Sequence, residues 1–484
     1  MPDNLSEETD HGTRIICAQL YKGGLSEASF ILNKLRKTPF NGRSPEIGVE
    51  IDIVTRHAEK AYNYHLNYAI IIAAAAALSL ILYAINSTIS AIILAATTAL
   101  MLWKSTYMDR EIAINNFSKK AYNPNFGLDT NHTAHNIKDD ETQNVIIFGA
   151  YFPFVGAGNR VKNWNLVIDT SKPSKSIDNS PSDISIEELY KAVSEEIQIK
   201  NLPNITQEFL LFADGKELDS TFLKPYSVEE EPIYHLDPKI VFNEGHKSLY
   251  DDYRTYYNIK YFDKSRSTLL STFLRFFKIG SELFTECSFY VLPPIDEIRF
   301  NIDRIPIYDN WFQLRAAATT AIISIIVLAL GMIPGISLIL LILVLIVAFA
   351  PLSKVILNKY NDNIAKNDLK ERIKKGEPHN YGNTKTFRES ISSKNYKNYF
   401  SAQDTVAIQN SLEHSIIYGT SKILDSKGID SSLLTGDLLS FVNKGIMMYG
   451  GQLEAEQVTV GSSIKTIQYI QEHIKNIRDP QKEG

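Results

Sequence analysis

A chain of 484 residues is long enough for two or three domains, and a composition of 44 % hydrophobic and 22 % charged residues is that of a folded protein. The formal net charge of −5 argues against a general nucleic-acid binder, which carries a basic face or stripe. Two cysteines, Cys17 and Cys287, make neither a disulfide framework nor a Cys-x-x-Cys metal pattern, so a reducing compartment fits, with a single disulfide as the alternative.

Residues 1–13 are polar and acidic, without the basic and apolar stretches of a secretory signal, so membrane insertion is expected through internal segments. The first predicted elements are helices, because TRIICAQL and GLSEASFILNKLRKT have helical apolar spacing. His57, in the following RSPEIGVEIDIVTRHAEK, has no partner at metal-ligand spacing and reads as a surface or packing histidine.

Two apolar blocks dominate the chain. Residues 69–85 read AIIIAAAAALSLILYAI, Asn-Ser-Thr interrupts at 86–88, and a second apolar run covers 89–103. Later, residues 316–330 and 336–350 are apolar on either side of Gly-Met-Ile-Pro-Gly. Asn-Ser-Thr and Pro-Gly are turn formers, so each block predicts a helix–turn–helix hairpin. The legs of about 15–18 residues span roughly 22–27 Å, short against a hydrocarbon core of about 30 Å. Tyr68, Trp103 and Trp311 stand where an aromatic belt is expected. Shallow re-entrant hairpins, and apolar hairpins buried in a soluble core, are the two rival readings. Lys and Arg flank both hairpins (Arg56, Lys60, Lys104, Arg110; Arg315, Lys354, Lys359) and neither turn carries any. The positive-inside rule then puts the termini and the middle segment in the cytoplasm of a cell with the protein in its inner membrane.

The segmentation is 1–65 helical, 66–103 first hairpin, 104–313 an α+β domain, 314–351 second hairpin, and 352–484 mainly helical with a short β ribbon at the end. In the middle domain, 145–150 (VIIFGA), 164–169 (WNLVID), 253–262 and 283–292 read as strands. Ser185 and Glu188 offer a capping box for a helix through SIEELYKAVSEEIQI, and Asp214-Gly215 a hairpin or turn. STLLSTFLRFFKIG has helical and strand character in competition. Its Phe273, Phe276 and Phe277, beside Arg275 and Lys278, would rest on a membrane surface or form core aromatics with the basic groups in water. Pro293-Pro294 closes the domain. Beyond the second hairpin, residues 404–424 are amphipathic through Val406, Ile408, Leu412, Ile416, Ile417 and Leu424. Residues 443–461, NKGIMMYGGQLEAEQVTVG, predict very short strands that cannot bury their faces alone. Gly445, Tyr449, Gly450, Gly451, Val458 and Val460 are therefore candidate self-association residues, with docking on their own domain as the alternative.

The search for chemistry finds no His-Glu-x-x-His, Gly-x-Ser-x-Gly, Walker or kinase set, and implies neither cofactor nor metal. His132 and His135 lie in a polar stretch without a third ligand, and Asp251-Asp252 would point to opposite faces of a strand. Gly156, Gly158, Arg160 and Trp164 form the one ligand-binding candidate. The resemblance to a phosphate loop is partial, since no Gly-Lys-Ser/Thr is present and a strand rather than a helix follows. A structural turn is the simpler reading. The apolar runs carry no ionisable residue, which counts against secondary transport.

Four stretches together resemble an uncharacterised family of bacterial multi-pass membrane proteins: RSPEIGVEIDIVTRHAEKA, FGAYFPFVGAGNRVKNWNLVID, FLRFFKIGSELFTECSFYVLPP and NKGIMMYGGQLEAEQVTVGSS. The resemblance implies the architecture and transfers no catalytic residue. The leading functional expectation is an α+β membrane protein serving as a membrane-anchored interaction or effector module, partnered by the bilayer, an unknown cytoplasmic protein and further copies of itself. The alternatives are an oligomeric pore or toxic effector of a bacterial defence system, with Thr97, Thr98, Thr319 and Thr320 along its lumen, and an enzyme or ligand-binding site in the middle domain.

Overall fold

The computed structural model describes residues 11–35, 42, 44–128, 143–174, 180–218, 232–247, 253–263, 267–296, 300, 302, 311–333, 335–393 and 399–434, with short pieces at 448–449, 452–453 and 456–460. Four of its helices are long and apolar enough to cross a membrane. The first two helices, α1 (His11–Lys22) and α2 (Gly24–Leu35), precede α3 (Ile51–Tyr83). Asn86 caps the next helix, α4 (Ser87–Trp103), by accepting from the backbone N–H groups of Thr88 and Ile89. The rod continues through a π turn (Lys104–Met108) into α5 (Asp109–Phe117). The second pair is α8 (Phe312–Gly331) and α9 (Ile336–Lys374), the latter 39 residues long.

These helices pack α3 on α4, α4 on α8 and α3 on α9. Ile72, Ala76, Leu94, Leu341, Val344 and Ala348 form their shared core. Ser79 and Ser90 exchange hydrogen bonds across α3 and α4, each hydroxyl donating to the other's carbonyl at 2.9 and 2.7 Å. Only 17–33 % of each apolar window is buried within the chain, and Ile81, Ile85, Ile325, Ile339 and Ile346 point outward. So little burial counts against apolar hairpins enclosed in a soluble core, and exposed apolar surface on this scale suggests a membrane. The helices also outrun the apolar runs. Position 65 falls inside α3, position 103 is followed directly by the π turn, and α9 continues past 351 to Lys374, so polar helix carries each span to full length. Thr97, Thr98 and Thr319 return their hydroxyls to carbonyls of their own helices.

A seven-stranded sheet forms the other half, in the order β1-β3-β4-β5-β6-β2-β9. Its strands are β1 (Val145–Phe148), β2 (Asn159–Asp169), β3 (Ile205–Asp214), β4 (Tyr253–Asp263), β5 (Thr268–Ile279), β6 (Glu282–Leu292) and β9 (Glu456–Val460). The middle strands are antiparallel; β1 runs parallel to β3, and β9 parallel to β2. Helices α6 (Ile186–Ile199) and α11 (Tyr399–Ser426) cover one face, where Trp164, Leu274, Phe276 and Phe289 meet Leu189, Val193, Leu412 and Ile416. Ser185 and Glu188 close the capping box of α6. Helix α7 (Pro238–Lys247) separates β3 from β4, so Asp214-Gly215 makes a turn and not a two-residue hairpin. A four-residue helix, α10 (Phe387–Ser390), sits between α9 and α11, and a two-stranded ribbon joins β7 (Met448–Tyr449) to β8 (Gln452–Leu453).

The competing segment 267–280 is strand β5. Phe273, Phe276 and Arg275 are all buried, which removes them from any membrane surface and Arg275 from water. Arg275 instead lies 4.6 Å from the centre of the Phe277 ring and 3.8 Å from the Glu286 carboxylate.

Candidate functional site

The glycine-rich loop ends at β2. Gly156 and Gly158 both have positive φ, +91° and +85°, and a Cβ on Gly158 would fall on Val291 O and Leu292 of β6. Just before them, Phe154 stacks on Phe273 at 4.1 Å and meets Phe212, Tyr256 and Tyr290 edge-on or tilted. The loop is thus an aromatic plug on the sheet face opposite α6 and α11. Its donor already has an anion: Gly158 N–H donates to Glu389 Oε1 at 3.0 Å. Glu389 also caps α10 through Thr386. Gly156 borders a cavity of about 20 Å³ beside Asn258, room for one water, and Gly158 borders an open cleft of about 260 Å³ with Lys385, Glu389, Ser392 and Ser393.

Nearby, Glu46 accepts from the backbone N–H groups of Phe387 and Arg388 at 2.7 and 2.6 Å. Desolvation pushes its carboxyl up to about 7, against the pull of those two donors. Arg388 is itself buried and donates to Pro293 O at 2.8 Å and to Ser267 O. The chain just before α3 is in this way clasped to the chain just after α9.

Arg160 leaves the loop half-buried, with its guanidinium 5.5 Å from the centre of the Phe152 ring. Trp164 goes to the other side of the sheet, 1 % exposed. Its indole N–H donates to Glu413 Oε1 at 2.9 Å, and Lys162 Nζ reaches the same carboxylate at 2.9 Å. Burial pushes the Glu413 carboxyl up, and Lys162 and Trp164 pull it back. Of the four predicted residues, the structure brings Gly156 and Gly158 together, places Arg160 beside them, and sends Trp164 to the opposite face. Of the tail candidates, Gly445, Gly450 and Gly451 lie outside the described residues. Tyr449 is in β7, and Val458 and Val460 are paired along β2 with Trp164 and Leu166. His132, His135, Asp251 and Asp252 also lie outside the described residues. Among the described residues no group of three or more His, Cys, Asp or Glu is placed to hold a metal ion.

A second polar cluster stands at the foot of the membrane helices. Lys104 Nζ is 2.8 and 2.7 Å from the two carboxylate oxygens of Asp109 and 2.8 Å from His65 Nδ1. His65 Nε2 lies 3.0 Å from Leu20 O in α1, and Tyr64 donates to Asp109 at 3.2 Å. All three N–H groups of the ammonium are used, and the rings of Tyr64 and Tyr68 lie 5.0 and 5.5 Å away. From the same π turn, Tyr107 donates to Glu111 at 2.8 Å and accepts from Gln313 at the start of α8. Residues five apart on an α-helix point about 140° away from each other, so Lys104 and Asp109 meet because the π turn rotates them together. Of these residues the sequence singles out Lys104 alone, as part of the positive charge that flanks the hairpin.

A family model, that of the AbeC-like domain, matches residues 163–455, more than half of the chain. The chain belongs to the AbeC-like domain family. The AbeC-like region starts within β2 and contains β3 to β6, α6 to α11 and the β7–β8 ribbon; α1 to α5, the Gly156–Gly158 loop and β9 lie beyond it. No curated protein and no solved structure is significantly similar to the chain.

Proposed function

We propose that this AbeC-like chain is a membrane-anchored interaction or effector module, in which the helices set in the bilayer and the sheet domain move as one body. The observation that carries it is a pair of buried polar contacts: the Glu46–α10 clasp, whose Arg388 reaches the ends of β5 and β6 at Ser267 O and Pro293 O, and the joint at the foot of the helices. Lys104, His65 and Asp109 tie α1, α3 and the α4–π–α5 rod together, and Tyr107 adds α8. A passive anchor needs only a flexible tether, whereas buried and fully bonded charges hold orientation.

In this reading the protein sits in the inner, cytoplasmic membrane, with both termini and the sheet domain in the cytoplasm, where the charge bias of its flanks supports placing them. A cytoplasmic protein is its partner, and the tail from residue 443 onward carries contacts to that partner or to further copies. Affinity recovery from gently solubilised membranes tests this: deletion of residues 443–484 abolishes partner recovery or oligomers. Unchanged recovery on deletion contradicts it, and collapse of the membrane potential on overexpression would favour the pore instead.

A further inference from the structure

Between α3, α4 and α9 lies a crevice of about 140 Å³. Its walls are apolar along Ala69, Ile72, Met101, Val347 and Ala348, and its polar end is formed by His65 and Lys104. Pro351 explains the gap. Proline cannot donate to the carbonyl four residues earlier and its ring crowds that carbonyl, which here belongs to Val347; both residues line the crevice. Val347 is 49 % exposed, so one wall reaches the surface where lipid lies, while Lys104 and His65 are 8 % and 2 % exposed and satisfied from within. The crevice therefore offers apolar contact along its length, with Tyr68 beside it, and the His65 and Lys104 groups at its base are already bonded within the chain. That suits a hydrocarbon chain and not a sugar, nucleotide or metal ion.

We propose that this crevice takes one acyl chain of a membrane phospholipid. The occupant is drawn from the bilayer because three of the four membrane helices form the walls, and no aqueous solute reaches that depth without crossing headgroups. Filling the crevice props α9 against α3 and α4 directly beneath the Lys104–Asp109 pair, so lipid composition bears on the joint. The proposal rests on the membrane-spanning reading of these helices.

The test uses the full chain in nanodiscs carrying phosphatidylglycerol or phosphatidylcholine with a diazirine near the middle of one acyl chain, and peptide mapping after irradiation. Labelling at Ile346 and Ile325, which point outward, reports membrane embedding alone. Labelling at Met101, Ala69 and Ile72 reports the crevice. Expected are strong crevice labelling from either lipid and a several-fold drop on Ala69→Leu or Met101→Trp with labelling at Ile346 unchanged. Crevice labelling at the level of the outward positions and insensitive to both fillings overturns the proposal while leaving the membrane reading intact. No labelling anywhere overturns the membrane reading itself.

Discussion

Two buried lysine–carboxylate pairs hold this molecule, and they are built differently. Lys104 and Asp109 belong to one continuous rod, five residues apart, at the boundary between membrane helices and the α1–α2–α5 collar. Lys162 and Glu413 are 251 residues apart and join the sheet to α11. The first pair has no spare donor and sits where its neighbours are helices fixed by a membrane. The second is equally buried, with Lys162 12 % and Lys104 10 % exposed in the side chain, but its contact is to one carboxylate where Lys104 also meets His65. The comparison teaches that the stiff element is the membrane joint, and the sheet–helix contact is the more forgiving one.

Breaking the joint is expected to have the largest effect. Asp109→Ala leaves a buried ammonium without its counter-charge, a loss of about 3–5 kcal/mol. Thermal unfolding in detergent should show it, and adding Lys104→Met should restore most of the loss. A mild effect of Asp109→Ala would mean the joint is no stiffer than the sheet contact. Glu413→Ala comes second. It leaves the Trp164 indole N–H without its acceptor, for a loss of about 1–3 kcal/mol. Glu413→Gln, which keeps an acceptor for the indole, should cost less.

The clasp at Glu46 gives a smaller, pH-dependent effect between the same two regions. Its carboxyl sits at about 7 in the folded chain against an ordinary value of 4.5, with Glu389 raising it and Arg388 lowering it after desolvation. The folded state therefore binds a proton that the unfolded state has already lost. This contribution is fully present below pH 4.5 and disappears as pH rises through 7. Melting temperature should fall with pH across this window, and the fall should be shallower in Glu46→Gln; equal slopes would remove Glu46 from the account. The smallest effect is local. Ser185→Ala opens the capping box of α6 and should cost about 1 kcal/mol without touching the membrane half.

Much of the fold was legible because it rests on local pattern. The strand runs at 145–150, 164–169, 253–262 and 283–292, the capping box at Ser185 and the two apolar blocks all follow from period and turn chemistry. Residues 267–280 were not decidable locally. Their neighbours β4 and β6, pairing along both edges, make them a strand. The start of β2 at Asn159 was hidden because Gly158-Asn159-Arg160 looks like a loop, while its irregularity between Arg160 and Lys162 is a bulge in the pairing with β6. The polar sites were the least legible. Nothing local announces that Glu413 will meet Trp164, and the meeting of Lys104 with Asp109 depends on a π turn that helical periodicity does not encode. Gly156 and Gly158 were picked out as part of a phosphate-type loop; both have positive φ, and the carboxylate at that loop is the chain's own Glu389.

The most direct test of the central claim, a sheet domain fixed beneath membrane-crossing helices, is cysteine accessibility in whole cells. Both native cysteines are buried and can be replaced by serine or alanine, with single cysteines then placed by Ser87→Cys, Gly335→Cys, Ser180→Cys and Lys375→Cys. The account predicts that a membrane-impermeant maleimide given access to the outer face labels positions 87 and 335 in intact cells, and positions 180 and 375 only after lysis. Labelling of 180 or 375 in intact cells, or protection of all four until lysis, would contradict it.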